Sequence, residues 1–422
     1  MRSITLIDVN SFYASCERVF NPRLEGIPVV VLSNNDGIPI AMNALAKSLG
    51  ITMSTPWFKL KGFAKQHGIV ALSSNYPLYA DMSNRVMSIL SYYSPDQEIY
   101  SIDECFLDLT GFKINLVDYA QDMRGRIKQW TGLPVCVGIG ASKTLAKLAN
   151  HIAKKRPQYN GVCNLNNFNP EQLNEILSEI PISSVWGIGR KLVPRLNALN
   201  IETVLDLKNS DPEYMRQQFS VVMEKTIREL NGTACIELEE VAPPKQQILS
   251  SRSFGSPVYD LQSLSESITL YISRACEKLR KQNSYARTIT VYIRTSPFSN
   301  EPQYSCTKTV SLPSPSDDTR HFASVGLWIL KGIYKSGFNY QKAGIMLSNI
   351  VPAEGQQTDL FGFKQSISKQ DNLMIVLDEI NRKMGKQCIR IASQGYKQPW
   401  AMKQELKSKS FTTKWDELIV VS

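Results

Sequence analysis

The chain opens on a largely apolar run, Ile4 to Val9, that predicts a buried strand, and the polar and aromatic stretch "NSFYASCE" after it predicts a turn. A second strand is expected at "PVVVL" (28–32), stopped by the turn cluster "SNNDG". Between 80 and 93, Met82, Val86, Ile89, Leu90 and Tyr93 recur at helical spacing. A strand with a hairpin-like bend around Ser101 to Glu104 comes next, then a helix at about 115–130, a strand at "LPVCVGIG" and another helix, an alternating α/β unit around a hydrophobic sheet. From about 165 to 235 the pattern is helical and short-looped, broken by the Gly-x-Gly turn of "VWGIGRKLVPRLNALNI". Beyond the Pro-containing linker "EEVAPPKQ" the order is strand, helix, strand, strand, helix, strand between about 247 and 349, that of a ferredoxin-like unit, with "SLPSPSDD" as one of its loops. Within "RTITVYIRT", Ile289, Val291 and Ile293 alternate with Thr290, Tyr292 and Arg294, so one sheet face is apolar and the other polar, aromatic and basic.

Charge sharpens this picture. The 422 residues carry 48 Lys and Arg against 38 Asp and Glu, a net of +10, which favours an anionic partner such as nucleic acid or an acidic protein. Thirteen Lys and Arg face only six Asp and Glu between 245 and 350, so a nucleic-acid backbone is expected on that domain, with Arg252 and Arg294 as candidate contacts. Eight cysteines lie scattered without a CxxC pair and three histidines lie far apart, which argues against a zinc site. No apolar run approaches the length of a membrane span, and Asp8 interrupts what would be the core of a signal peptide; a reduced, cytoplasmic protein with no membrane association is expected.

The chemistry centres on "SIDECFLDLTG" (101–111), where Asp103 and Glu104 stand side by side in an apolar run. An unpaired buried charge costs several kcal/mol, so such a pair needs a reason. Asp8 ends one strand and Asp103 with Glu104 begin another; pairing those strands brings three carboxylates to one end of a sheet, a donor set suited to divalent cations in phosphoryl transfer. The competing reading makes them turn residues at a strand end, and Asp108 is read as structural, bonding a loop. In "GASKTLAKLANHIAKK" (140–155), Lys143, Lys147, Asn150 and Lys154 share one helix face opposite Leu145, Leu148, Ala149 and Ile152. One face is expected to pack and the other to present ammonium groups, either simply solvated or, beside a metal site, facing a triphosphate. Gly187 and Gly189, followed by Arg190 and Lys191, form a turn whose backbone N–H groups suit a DNA phosphate.

Taken in order, "DVNSFYASCE", "SNNDG", "SSNYPLYADMSNRVM", "EIYSIDECFLDLTG", "GIGASKTLAKLANHIAKK" and "VWGIGRK" resemble the Y-family DNA polymerases, most closely the UmuC-type catalytic subunits of bacterial DNA polymerase V, over essentially the whole chain. The resemblance implies an α+β right-hand polymerase: a ferredoxin-like palm at 1–11 and 76–165, small fingers at 12–75, a helical thumb with a helix-hairpin-helix at 166–238, a linker at 239–246, a ferredoxin-like little finger at 247–350 and a tail at 351–422. It implies error-prone translesion synthesis in the SOS response to DNA damage, by two-metal transfer from a dNTP to a primer 3′ hydroxyl. Asp8, Asp103 and Glu104, with the Val9 carbonyl, would bind two Mg2+ ions. Phe12 and Tyr13 would line the sugar pocket, Tyr13 as a gate against ribonucleotides. Lys154 would contact the triphosphate, and Lys47 stands where the family places a basic residue over it, although Ala44 replaces a tyrosine common in the wider family. In "QQTDLF", Gln357, Leu360 and Phe361 match a sliding-clamp peptide. Primer-template DNA, dNTP, the sliding clamp, an acidic UmuD′-type dimer and the RecA filament are the implied partners. A noncatalytic DNA-binding accessory and a nucleotide cyclase on a similar palm are the alternatives; the intact carboxylates and lysine face disfavour the first, the Gly-x-Gly turn and basic second domain the other.

Overall fold

In the computed structural model, residues 2–239, 241, 243–354, 367–385 and 387–418 are described. They fall into two compact units, one of residues 1–33, 37–242 and 406–422 and the other of residues 34–36 and 243–405.

The first unit begins with β1 (Ile4–Val9), α1 (Phe12–Phe20), β2 (Val29–Leu32), β3 (Pro39–Met42), α2 (Ala44–Ser48), α3 (Trp57–Gln66) and β4 (Val70–Ser73). It continues through α4 (Tyr76–Leu90), β5 (Gln97–Ile99), β6 (Glu104–Asp108), α5 (Leu116–Thr131), β7 (Val135–Gly140), α6 (Lys143–Lys155) and β8 (Val162–Asn164). Short helices α7 (Pro170–Ser178), α8 (Val193–Asn197), α9 (Val204–Lys208), α10 (Pro212–Gln218) and α11 (Val221–Leu230) complete it.

Its main sheet has the order β5-β6-β1-β7-β8, with β1 antiparallel to both neighbours. Alternation along β1 sorts its side chains between the two faces of the sheet. Ile7 and Val9 enter the core shared with α4 and α5, whereas Ile4 and Leu6 meet Phe106 and Ala146 of α6. Asp8 is in phase with Leu6, and its cross-strand partner Glu104 with Phe106, so both carboxylates belong to the α6 side of the sheet. Asp108 is structural as expected: its Oδ1 accepts from the Thr110 N–H at 2.8 Å. A separate sheet, β3-β2-β4, holds the second predicted strand.

Two local readings change. The "NSFYASCE" stretch is a turn only at Asn10 and Ser11 and is helix from Phe12 on: Phe12, Ala14, Cys16 and Glu17 of α1 are buried, and that packing carries the helix through the rest of the stretch. The chain enters α1 through Ser11 in the left-handed region, φ 49°. The helix expected at 80–93 starts and ends earlier, as α4.

The second unit consists of β9 (Ile248–Val258), α12 (Leu261–Lys281), β10 (Ser284–Thr295), β11 (Ser305–Ser316), α13 (Thr319–Ile333), β12 (Tyr340–Pro352) and α14 (Ile367–Met384). Its antiparallel sheet, β11-β10-β12-β9, has the predicted element order. Ile289, Val291 and Ile293 are fully buried while Arg294 is exposed, as the alternation requires. "SLPSPSDD" departs from the loop expected there, because β11 runs on to Ser316; Pro313 and Pro315 are tolerated since β11 is an edge strand with one side free of ladder bonds.

The C-terminal segment, for which periodicity offers no reading, docks in pieces. In the second unit Arg280 makes a fork of bonds to Asp378 at 2.6 and 2.9 Å, and Trp400, 5% exposed, sits edge-on to Phe254 and Tyr271. In the first unit Lys407 bridges to Ser73 at the end of β4, Asn75 donates to Ser408 Oγ at 2.9 Å, and Phe411 stacks on Phe20 at 5.0 Å. Phe411→Ala should therefore lower the first unit's stability by about 1.5 kcal/mol, stacking plus partial burial. Urea titration read by the first unit's protease resistance checks this; an unmoved midpoint would make the contact incidental. No helix among the described residues is long and apolar enough to cross a membrane.

Candidate active site

The three carboxylates gather at the open end of the β1–β6 pair. Val9 N–H donates to the Asp103 carbonyl at 2.9 Å, and Asp8 lies directly across from Glu104. The bend before β6 is knotted by Ser101, whose Oγ donates to Asp103 Oδ1 at 2.7 Å and accepts from the N–H groups of Asp103 and Glu104. Burial pushes the Asp8 carboxyl up to about 6; the Lys154 ammonium opposes that rise, while the Glu104 and Asp103 charges add to it.

Of the two expectations for the lysine face of α6, the simply solvated one does not hold. The face lies against the sheet, and every polar group on it has a partner there. Lys143 pairs with the buried Glu98, Lys147 reaches Glu104 Oε1 at 2.8 Å, and Lys154 reaches Asp8 Oδ1 at 2.6 Å. Asn150 donates to the Leu6 and Cys136 carbonyls, spanning β1 and β7. Two glycines make this proximity possible: a Cβ on Gly138 would stand 2.1 Å from the Asn150 nitrogen, and one on Gly140 2.7 Å from Leu145 Cβ. The helix is also held at its start, where Ser142 caps it and the buried Glu229 accepts from Thr144 N–H at 2.9 Å.

Among the described residues no three His, Cys, Asp or Glu side chains are grouped so as to hold an ion as they stand, and Asp8 and Glu104 are each engaged by an ammonium. The donor chemistry nevertheless fits a hard divalent cation. Three carboxylates and the Val9 carbonyl offer oxygen only, and the Asp8 carboxyl, raised chiefly by burial and further by the Glu104 and Asp103 charges, is one whose ionised form a cation would favour.

Tyr13 stacks on Tyr79 at 4.4 Å and meets Tyr76 edge-on at 6.0 Å; burial raises its phenol pKa, as do the Tyr76 and Asp103 charges. Phe12, by contrast, is 3% exposed and belongs to the core beneath. Lys47 is exposed on α2. Gly187 takes φ +87° in the turn before α8, with Arg190 and Lys191 exposed after it. On the second unit, Arg294 and Lys342 are cross-strand partners, and Lys342 has its pKa lowered by burial and by Arg294 and Arg252, the mark of an uncompensated basic surface. Gln357, Leu360 and Phe361 lie outside the described residues. Sequence reasoning missed the contacts of Lys147 and Lys154 with specific carboxylates; the i, i+4 spacing of Lys143 and Lys147 was the available signal, but their partners come from strands far away in the chain.

Comparison with known proteins gives the same outline. The model described as "impB/mucB/samB family" matches residues 7–151, the family's C-terminal domain 245–360, its helix-hairpin-helix motif 170–201, and a domain of unknown function 371–421. "Protein UmuC" of Salmonella typhimurium is 47% identical over 99% of both chains, and "Protein ImpB" of Salmonella typhimurium is 43% identical over 98% of both. Among solved structures, a Y-family DNA polymerase chimera aligns with a TM-score of 0.66 at 23% identity, covering 83% of this chain and 99% of its own.

Proposed function

The chain belongs to the impB/mucB/samB family, the UmuC-type Y-family DNA polymerases, and from that premise we propose that this DNA-directed DNA polymerase carries out error-prone translesion synthesis in the SOS response with Asp8, Asp103 and Glu104 as its catalytic carboxylates. The observation that carries the site assignment is the cross-strand pairing of Asp8 with Glu104, beside Asp103, under the lysine face of α6.

Asp8, Asp103, Glu104 and the Val9 carbonyl would hold two Mg2+ ions, whose chemistry when bound is to acidify the primer 3′ hydroxyl and to offset charge on the departing pyrophosphate. The protein's own groups do the rest. Lys154, a third exposed and paired through Asp8, can turn its ammonium to the dNTP triphosphate once Asp8 is engaged elsewhere, with Lys47 assisting from the fingers. The turn at Gly187 and Gly189, with Arg190 and Lys191, would hold primer-template phosphates, and Arg252 and Arg294 would do the same from the little finger. Docking of Gln357, Leu360 and Phe361 on a sliding clamp, an acidic UmuD′-type dimer and a RecA filament derive from membership of the family rather than from geometry. The domain limits given by the resemblance belong to this reading too. Primer extension by purified protein, with and without magnesium, tests it: a DNA-binding accessory or a cyclase would lengthen no primer.

Tyr13 is proposed as the sugar gate, a flat ring held by Tyr79 and Tyr76 that leaves no room for a 2′ hydroxyl. Tyr13→Ala should raise ribonucleotide over deoxyribonucleotide insertion at least about tenfold, or about 1.4 kcal/mol of discrimination. Single-nucleotide insertion with both sugars measures it; an unchanged ratio in a folded, active variant places the gate elsewhere.

A further inference from the structure

Lys147 and Lys154 each pair with one of the three carboxylates, but their surroundings differ sharply. The Lys154 ammonium is held by Asp8, and the Lys154 side chain is 34% exposed. The Lys147 ammonium sits 4.4 Å from the ring centre of Tyr100, 5.2 Å from Trp186 and 5.7 Å from Phe106, with Glu104 Oε1 at 2.8 Å, and the Lys147 side chain is 15% exposed. The rings of the box also meet one another: Tyr100 meets Trp186 at 89° and Phe106 at 75°, both edge-on. An ammonium among three π faces and one carboxylate has little freedom to seek a nucleotide. Its sequence neighbours matter as well. Tyr100 begins the bend that carries Asp103 and Glu104, and Trp186 immediately precedes the Gly187–Lys191 turn. Lys147 engages one Glu104 oxygen and leaves the second to other ligands.

We propose that Lys147 is a positioning residue: boxed by Tyr100, Phe106 and Trp186, it fixes the Glu104 carboxylate and gives that carboxylate and the thumb turn at 187–191 one shared anchor. A change in how the turn grips its ligand is thereby felt at Glu104, and loss of the Glu104 charge loosens the turn. The kinetic consequence rests on the polymerase reading; the mechanical one does not.

Hydrogen exchange on the full chain, without DNA or added metal, tests the mechanical part. Lys147→Met, close in volume but uncharged, and Glu104→Gln should each speed exchange of the 186–191 amides at least about fivefold, with α5 unchanged as an internal control. Primer-extension kinetics test the other part. Lys147→Met should lower kcat at least about twentyfold with the dNTP KM and primer-template Kd within about twofold, and Lys147→Arg should recover to within about fivefold of the parent. Unchanged exchange at 186–191 in both variants removes the shared anchor. A raised dNTP KM with kcat retained makes Lys147 a triphosphate ligand instead. Should the parent extend no primer, the polymerase reading fails alone and the exchange result still decides the anchor; should Lys147→Met not fold, Glu104→Gln carries the exchange measurement and Lys147→Gln the kinetic one.

Discussion

Asp103→Ala and Glu104→Ala are each expected to lower primer extension at least about a thousandfold while primer-template affinity stays within a few-fold, a loss of about 4 kcal/mol of transition-state stabilisation with little ground-state change. The expectation comes from where the two side chains stand. Neither belongs to a hydrophobic core cluster, so truncation opens no large cavity, and the bend is held by Ser101 bonds to the N–H groups of both residues, which alanine keeps. On the proposed reading, what alanine removes is a cation-binding oxygen pair, and phosphoryl transfer without it would lack its main source of charge stabilisation. The two variants differ in one respect. Glu104→Ala also strips Lys147 of its carboxylate, leaving an ammonium held by rings alone, whereas Asp103→Ala removes a group whose side chain bonds Ser101. Glu104→Ala should therefore soften the thumb turn as well as abolish extension. Either variant extending at near-parental rate would remove its residue from the catalytic set.

How much of the fold and site is legible in the sequence depends on the range of the interaction. That Asp8 and the Asp103–Glu104 pair stand at neighbouring strand ends can be anticipated from the sequence, but both strands are apolar on both faces, so the register that sets Asp8 opposite Glu104 is legible only in the structure. From 247 to 352 the order of elements in the second unit is legible in the sequence, with "SLPSPSDD" the departure. The fate of the α6 lysines is not: a helical wheel reports which side chains share a face, not that β1 and β6 bring acids beneath it, nor that Gly138 lets the helix come so near. The turn predicted at 10–17 ends after Ser11 because the burial of Phe12, Ala14 and Cys16, which makes the rest helix, is decided by elements outside the window. The C-terminal segment defeats periodicity altogether. Its anchors, Trp400 and Phe411, are single aromatics, and Ser408 and Lys409 bond Asn75, more than three hundred residues earlier.

The other large effect expected concerns stability and runs against activity. Asp8 is buried beside two like charges, and its carboxyl is raised to about 6 from the usual 3.8 even with Lys154 bound to it. A carboxyl higher in the folded than in the unfolded chain leaves stability intact below pH 4, removes it progressively as pH rises through 6, and costs the metal-free protein up to about 3 kcal/mol above that. Asp8→Asn deletes the charge and keeps the shape. Simple loss of the ion pair would argue for destabilisation, but Lys154 is a third exposed and water can take the place of its partner, whereas burial is the leading cause of the Asp8 rise. Asp8→Asn should therefore be inactive yet more stable than the parent at pH 7.5 in chelator, with the gain shrinking through pH 6 and gone near pH 3.5. Magnesium should restore stability to the parent and do little for the variant, since the carboxylates it would bind are what destabilise the apo site. Thermal melts of both proteins across that pH range, with and without magnesium, give the answer. A variant less stable than the parent at neutral pH would mean that the Lys154 pair outweighs burial and that the site stores no such strain.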